Sequence, residues 1–249
     1  MTTAAIVQAR MTSTRLPGKV LMELGGRTCL DHVLTRCRAI RGVDVVCCAV
    51  PDAPESDPVA MAAEKLGVLV FRGSETDVLD RYWQAASGIG ADTVMRITSD
   101  CPLVDPAVAA EVLVLLEKEG ADYACNNMPP SWPHGLDVEA MRFSWLDRAA
   151  KEATKKSERE HVTPYIRNHP DAKKANLPGP GGPIVDHRWT LDTEADLRFF
   201  RALFDRLPAG EPAYDWRIAL GIVEADPALA TINAGHDRYA GLKKSMAED

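Results

Sequence analysis

The sequence predicts a single α/β domain with a mostly parallel sheet and helices on both faces. Three observations predict it. Short apolar runs alternate along the chain with helical patterns of about ten residues. Polar, charge-rich segments follow directly on three of those runs, at 8–19, 72–77 and 99–105, where α/β sheets gather their ligands. The 249 residues, 46% of them hydrophobic, suit one large domain with a substantial core.

The first run, Ala4 to Val7, reads as a buried strand. Leu30, Val33, Leu34, Cys37 and Ile40 recur at helical spacing and predict a helix over 29–40. Val43 to Val50 gives a second strand, residues 59–66 a helix closed by Gly67, and Val68 to Phe71 a third strand. A helix over 78–86 and a strand over 93–98 follow. Asp105 before Pro106 has the form of a helix cap, opening a helix over 107–118. Ala121 to Cys125 is a fifth strand; the prolines of residues 126–135 stop it. The alternation of 137–141 suggests a strand with one exposed face, and helices are expected over 143–153 and 158–168. Residues 126–185 read as an insertion that caps the site, meets a second subunit, or both. A short strand at 188–193 leads into a helix over 194–206, capped by Thr193, and a last helix lies near 215–225.

Composition narrows the function. No apolar run approaches the ~20 residues of a membrane span. There is no charged-then-apolar leader pattern, and the six cysteines lack metal-site spacing. A cytoplasmic protein with reduced thiols is expected. The net charge of −7 argues against a general nucleic-acid binder. Residues 1–41 nevertheless carry seven basic side chains against two acidic ones, a local +5 that leaves −12 elsewhere. That asymmetry fits a compact polyanion such as a nucleotide.

The basic region centres on AAIVQARMTSTRLPGKVL, residues 4–21. Guanidinium groups suit bidentate phosphate binding and a lysine supplies a point charge. Pro17 and Gly18 can aim Lys19. A Walker loop is excluded, because it needs glycine at position 13 and a hydroxyl at 20, where the chain has Ser13 and Val20. Asp100, at a strand's carboxyl end, can either brace its turn or hold a divalent metal. Asp192 stands at a second strand-to-helix junction.

Four segments together resemble the cytidylyltransferases that activate acidic sugars, the CMP-KDO synthetases and acylneuraminate cytidylyltransferases. They are Ala9 to Lys19, Arg72 to Arg81, Ser99-Asp100-Cys101-Pro102-Leu103, and Trp189-Thr190-Leu191-Asp192-Thr193. With Arg159-Glu160-His161-Val162-Thr163-Pro164, the set is closest to the spore-coat polysaccharide biosynthesis protein F branch. The resemblance implies a three-layer α/β/α, Rossmann-like nucleotide-diphospho-sugar transferase fold. It implies transfer of CMP from CTP to a hydroxyl, with Mg²⁺ as cofactor and a homodimer as assembly. By that analogy Arg10, Arg15 and Lys19 grip the triphosphate, with Ala9 and Ser13 beside them. Arg72, Ser74 and Asp77 lie near base and ribose, and Asp100 and Asp192 hold the metal. Asp137, Glu139, Arg159 and His161, near Gly135, face the acceptor.

Competing readings are a transferase using another NTP, a glycosyltransferase, and a non-catalytic nucleotide-binding paralogue. A glycosyltransferase has only a diphosphate to hold, against which the three cations of residues 10–19 speak. Retention of both Asp100 and Asp192 speaks against the paralogue.

Overall fold

The computed structural model describes residues 1–208, 215–235 and 237–249. The chain enters as β1 (Thr3–Gln8) and makes a small hairpin of β2 (Glu23–Leu24) and β3 (Arg27–Thr28). It continues through α1 (Cys29–Arg38), β4 (Val45–Pro51), α2 (Asp57–Lys65), β5 (Leu69–Gly73), α3 (Val78–Ile89), β6 (Thr93–Thr98), α4 (Pro106–Lys118) and β7 (Tyr123–Cys125). Then come β8 (Glu139–Arg142), α5 (Phe143–Glu152), α6 (Lys156–His161), α7 (Pro164–Asn168) and β9 (Lys174–Asn176). The chain closes with α8 (Glu194–Phe204), α9 (Trp216–Ala225), α10 (Pro227–Thr231) and α11 (Ala240–Met246).

Seven strands form one sheet in the order β5-β4-β1-β6-β8-β7-β9. The first four pair in parallel, whereas β8 runs antiparallel to both β6 and β7. Side-chain alternation along β1 divides the core. Ala5 and Val7 join Val33 and Leu34 of α1, Val59 of α2 and Leu116 of α4 on one face. Ala4 and Ile6 join Leu79 and Tyr82 of α3 and Leu146 of α5 on the other. Both faces are therefore covered, which is why Ala4–Val7 of β1 and the whole of β4 are apolar rather than alternating. No helix among the described residues is long and apolar enough to cross a membrane. All six cysteines are free and buried.

Three local expectations are corrected. Residues 139–141 are buried on both sides rather than half-exposed, because β8 lies inside the sheet between β6 and β7. The helix expected over 158–168 is two short helices. The break is at Val162, which sits between them at a φ of 70°, a rare state for a β-branched residue. The strand expected before α8 reduces to one bridge between His134 and Arg188. Residues 126–185 supply β8 and β9 to the sheet, so this segment is woven into the main architecture.

His32 on α1 has its ring 4.4 Å from that of Phe204, and its Nε2 donates to the Leu24 carbonyl at 2.8 Å. Burial pushes its pKa down to about 4. The unfolded chain takes up this proton near the ordinary histidine pKa of about 6.5, so it binds more protons than the fold in between. Stability is therefore complete above pH 6.5 and falls as pH drops toward 4, by up to about 3 kcal/mol from this residue. Urea unfolding across that window should show the loss, and His32→Gln should flatten it.

Candidate active site

The segment after β1 is folded on itself. The Ser13 and Gly18 amides both donate to the Met11 carbonyl at 3.0 Å, and the Leu16 amide donates to Ser13 Oγ at 3.4 Å. Gly18 adopts a φ of 70° and opens the turn at Lys19–Leu21, whose Val20 is buried. An L residue with a side chain rarely takes that backbone state, so glycine is what lets Lys19 turn inward.

Lys19 turns onto two carboxylates from distant parts of the chain. Its Nζ donates to Asp100 Oδ2 and to Asp192 Oδ1, each at 2.6 Å. A backbone hydrogen bond from Leu191 N to Asp100 O, 2.8 Å, holds the two segments side by side. Arg15 reaches the other oxygen of Asp192 at 3.1 Å, and Arg188 approaches it at 3.2 Å. Burial works against the Lys19 charge, but the two carboxylates raise its pKa above the ordinary lysine value. Burial likewise opposes the Asp100 charge, and Lys19 overrides it, holding the carboxyl well below the usual range. Lys19 and Asp100 are therefore both ionised at neutral pH.

Behind this centre lies a carboxylate that the sequence reading missed. Asp196, fully buried, pairs with Arg188 at 2.8 Å and accepts from the amides of Asp192 and Thr193 at 3.0 and 2.9 Å. Asn233 donates to it at 2.9 Å. It therefore fixes both the Asp192 backbone and the arginine beside it. The signal was available: Thr193 and Asp196 form a capping box at the start of α8.

Arg15, Lys19, Asp100, Arg188 and Asp192 line one side of a cleft of about 380 Å³, together with Ala9, Arg10 and Ser13. Arg10 is exposed there and makes no hydrogen bond or ion pair to the described residues. Gln8, Arg81, Arg96, Asn127, His134, Asp137, Glu139, His161 and Arg167 complete much of the wall, with residues 237–242 from the C-terminal segment. Four buried polar atoms on this wall lack a partner among the described residues: Gln8 Oε1, Arg81 Nε, Arg96 Nε and Asn127 Oδ1. Unsatisfied buried groups are rare in folded proteins and ask for a ligand or water. Gly135, at a φ of 113°, lets the wall close, since a Cβ there would meet the Trp189 carbonyl oxygen at 2.1 Å.

Other expected site residues are placed elsewhere. Arg72 pairs with Asp57 at 2.7 Å, and the Ser74 hydroxyl accepts from the Asp77 amide at 3.0 Å. Asp77 caps α3 and is gripped by Arg159. None of these four lines the cleft. Glu139 does line it, but its carboxylate is saturated by Arg96 at 2.6 Å, the Tyr123 hydroxyl, and the Thr163 hydroxyl at 2.7 Å. Asp137 is bound to Arg238, which the sequence reading did not single out, and His161 meets Ser245 at 3.0 Å.

Asp100 and Asp192 suit a hard divalent cation. Two carboxylates converge on one point, and a cationic nitrogen already sits there at 2.6 Å from each. Mg²⁺ is held in such sites by one or two carboxylates plus phosphate and water.

Residues 4–201 match the profile of a family described as cytidylyltransferase. The spore coat polysaccharide biosynthesis protein SpsF of Bacillus subtilis is 35% identical over 233 residues, covering 91% of this chain and 95% of its own. A 3-deoxy-manno-octulosonate cytidylyltransferase of Rhodospirillum centenum is 34% identical over 255 aligned positions, 97% of this chain and 91% of its own. Among solved structures, a cytidylyltransferase from Leptospira borgpetersenii superposes with a TM-score of 0.88 at 27% identity, over 95% of this chain and 100% of its own.

The support behind the centre can be tested for itself. Asp196→Ala leaves the Arg188 guanidinium without its main counter-charge in a buried site, and should cost about 3–5 kcal/mol in urea unfolding. The apolar double replacement Arg188→Met with Asp196→Leu should recover part of that loss.

Proposed function

Because this chain belongs to the cytidylyltransferase family, we propose that it transfers CMP from CTP to a hydroxyl of an acidic sugar or related acid, releasing pyrophosphate. The product would serve surface polysaccharide or glycoconjugate synthesis, as the name of the Bacillus subtilis relative suggests. The observation that carries the reading is the meeting of Lys19 with Asp100 and Asp192 at the edge of a cleft that also presents Arg10 and Arg15. Three cations on one loop and two carboxylates opposite are what nucleotidyl transfer to a hydroxyl needs.

The acceptor oxygen attacks the α-phosphorus, and the bond to the bridging oxygen of pyrophosphate breaks. Negative charge gathers on the phosphoryl oxygens and on the leaving group. Lys19 and Arg15 are the adaptable members of the centre. As a triphosphate enters, their N–H groups turn from carboxylate oxygens to phosphate oxygens, and Arg10, which makes no hydrogen bond or ion pair to the described residues, adds a third grip. Asp100 and Asp192, released in part, are the residues that would hold Mg²⁺. When bound there, Mg²⁺ supplies electrostatic stabilisation of the charge that builds on phosphate oxygens. Arg188 and Asp196 keep Asp192 in place throughout.

Pyrophosphate release measured with each of the four NTPs, Mg²⁺ and a panel of sugar acids tests the reading. CTP should be preferred, EDTA should abolish turnover and Mg²⁺ restore it. Asp100→Asn should lower kcat by about 10²–10³-fold with the fold intact. Preference for another base would sink the cytidylyl assignment, and near-normal activity of Asp100→Asn would remove its metal role.

A further inference from the structure

One proton acceptor on the cleft wall is used neither by the Lys19 centre nor by the pairs around it. His134 lines the cleft, with its side chain 20% exposed. Its ring makes no hydrogen bond to the described residues, and Asp137 Oδ2 stands 3.9 Å from Nε2, within ion-pair reach only. Other titratable groups of the wall are engaged. Glu139 is held by Arg96, Tyr123 and Thr163, Asp137 by Arg238, and Asp237 by Lys243. Glu160 and His161 are both bonded to the Ser245 hydroxyl, at 2.7 and 3.0 Å.

The backbone fixes His134 beside the Lys19 centre. Its N–H donates to the His187 carbonyl at 2.9 Å, and its carbonyl accepts from the Trp189 amide at 2.6 Å. Two residues further along that segment, the Leu191 amide donates to the Asp100 carbonyl at 2.8 Å. In extended backbone, groups two residues apart point to the same side. His134 and Asp100 therefore flank one edge of residues 187–191, about 7 Å apart along it. His134 also forms a parallel bridge with Arg188, and residues opposite each other in a bridge share a face. The imidazole is thus set on the face from which Arg188 approaches Asp192 at 3.2 Å.

Four charged groups act on this ring: Asp137 from its own loop, Arg238 from the C-terminal segment, Arg188 from the bridged segment and Asp100 from the end of β6. Burial is the largest influence and lowers the His134 pKa. Asp137 and Asp100 oppose that, and the two arginines add to it. The imidazole is neutral at pH 7 and free to take up a proton.

We propose that His134 is the general base of the transfer, taking the proton of the acceptor hydroxyl as that oxygen attacks the α-phosphorus. The new oxygen–phosphorus bond forms, and the bond to the bridging oxygen breaks with its electron pair leaving on pyrophosphate. The imidazolium formed is stabilised by Asp137 and then returns its proton to solvent through the open cleft. Arg238 is a positioning residue, which holds Asp137 beside the ring without touching the reacting atoms. The proposal rests on the transferase reading, and the wild-type protein tests that reading separately.

Single-turnover pyrophosphate release reads the step, with Mg²⁺, the NTP the wild type uses best, and 3-deoxy-manno-octulosonate or N-acetylneuraminate as acceptor. His134→Ala should be slowed about 10²-fold or more with nucleotide affinity within about three-fold, and added imidazole should restore part of the rate. The acid limb of the wild-type pH profile should vanish in His134→Ala and equally in His134→Gln, which retains side-chain bulk. Asp137→Asn should move that limb to lower pH, because it removes a carboxylate that favours imidazolium. Arg238→Gln should move it to higher pH, because it removes a cation that opposes imidazolium. A merely structural role would not produce opposite displacements. Rates of both His134 variants near that of wild type, an acid limb that persists in them, or limbs that stay put or move together in the other two variants would each overturn the base. Absence of turnover by the wild type with every NTP and acceptor would overturn the transferase reading, and the role of His134 with it.

Discussion

Lys19 holding Asp100 and Asp192 together is the contact on which the rest of the cleft depends. Two carboxylates brought this close repel each other, and in a partly buried setting one of them would take up a proton unless a cation stood between them. The ammonium is delivered by a loop that must turn sharply, hence Gly18 at a φ of 70°. The carboxylates are delivered by segments held together through Leu191 N and Asp100 O. Around them the charges balance: Lys19, Arg15 and Arg188 against Asp100, Asp192 and Asp196. A set whose formal charges cancel is stable as it stands and can still exchange partners when a polyanion arrives. A buried arrangement with a large net charge could not exist empty.

The two ends of the cleft differ in that respect. The Lys19 end is compensated internally, whereas the Arg96 and Arg167 end shares one carboxylate between two guanidinium groups. Glu139 could not be replaced by an apolar residue without leaving both arginines uncompensated, so its burial within the sheet is an electrostatic requirement. β8 runs antiparallel at that position and sets Glu139 directly opposite Arg96 in register. Sheet topology, more than local propensity, puts the charge there.

Much of the fold was legible because its signals are local. The apolar runs of β1, β4 and β6, the helical spacing in α1, the Asp105 cap of α4 and the Thr193 cap of α8 all occur in the structure. The elements missed or misread are those with too few residues to carry a period. The hairpin of β2 and β3 has two residues per strand, and β9 is three polar or small residues, Lys174 to Asn176. At the site, Arg15, Lys19, Asp100 and Asp192 could be named from residue type and motif, and the structure brings them together. Arg159 could not be placed in this way, because its partner Asp77 lies 82 residues earlier. Glu139 was expected to face the acceptor, and its saturation was not legible, since Arg96, Tyr123 and Thr163 are 43, 16 and 24 positions away. An arginine in the middle of the apolar strand Thr93–Thr98 was the visible trace of that pairing.

The source of the walls bears on how such a site can vary. The Lys19 centre lies wholly within residues 4–201, which match the family profile, but 237–242 come from the segment after them. That segment is tied down by Arg238 to Asp137 and to the Trp132 carbonyl, by Ser245 to Glu160, and by pairs near the C-terminus such as Lys156 with Glu248. The last of these is exposed and contributes little to stability. The two sides of the cleft thus differ in origin: the Lys19 centre is built on strand ends and a glycine turn, and the facing wall is completed by a helix held through side-chain contacts.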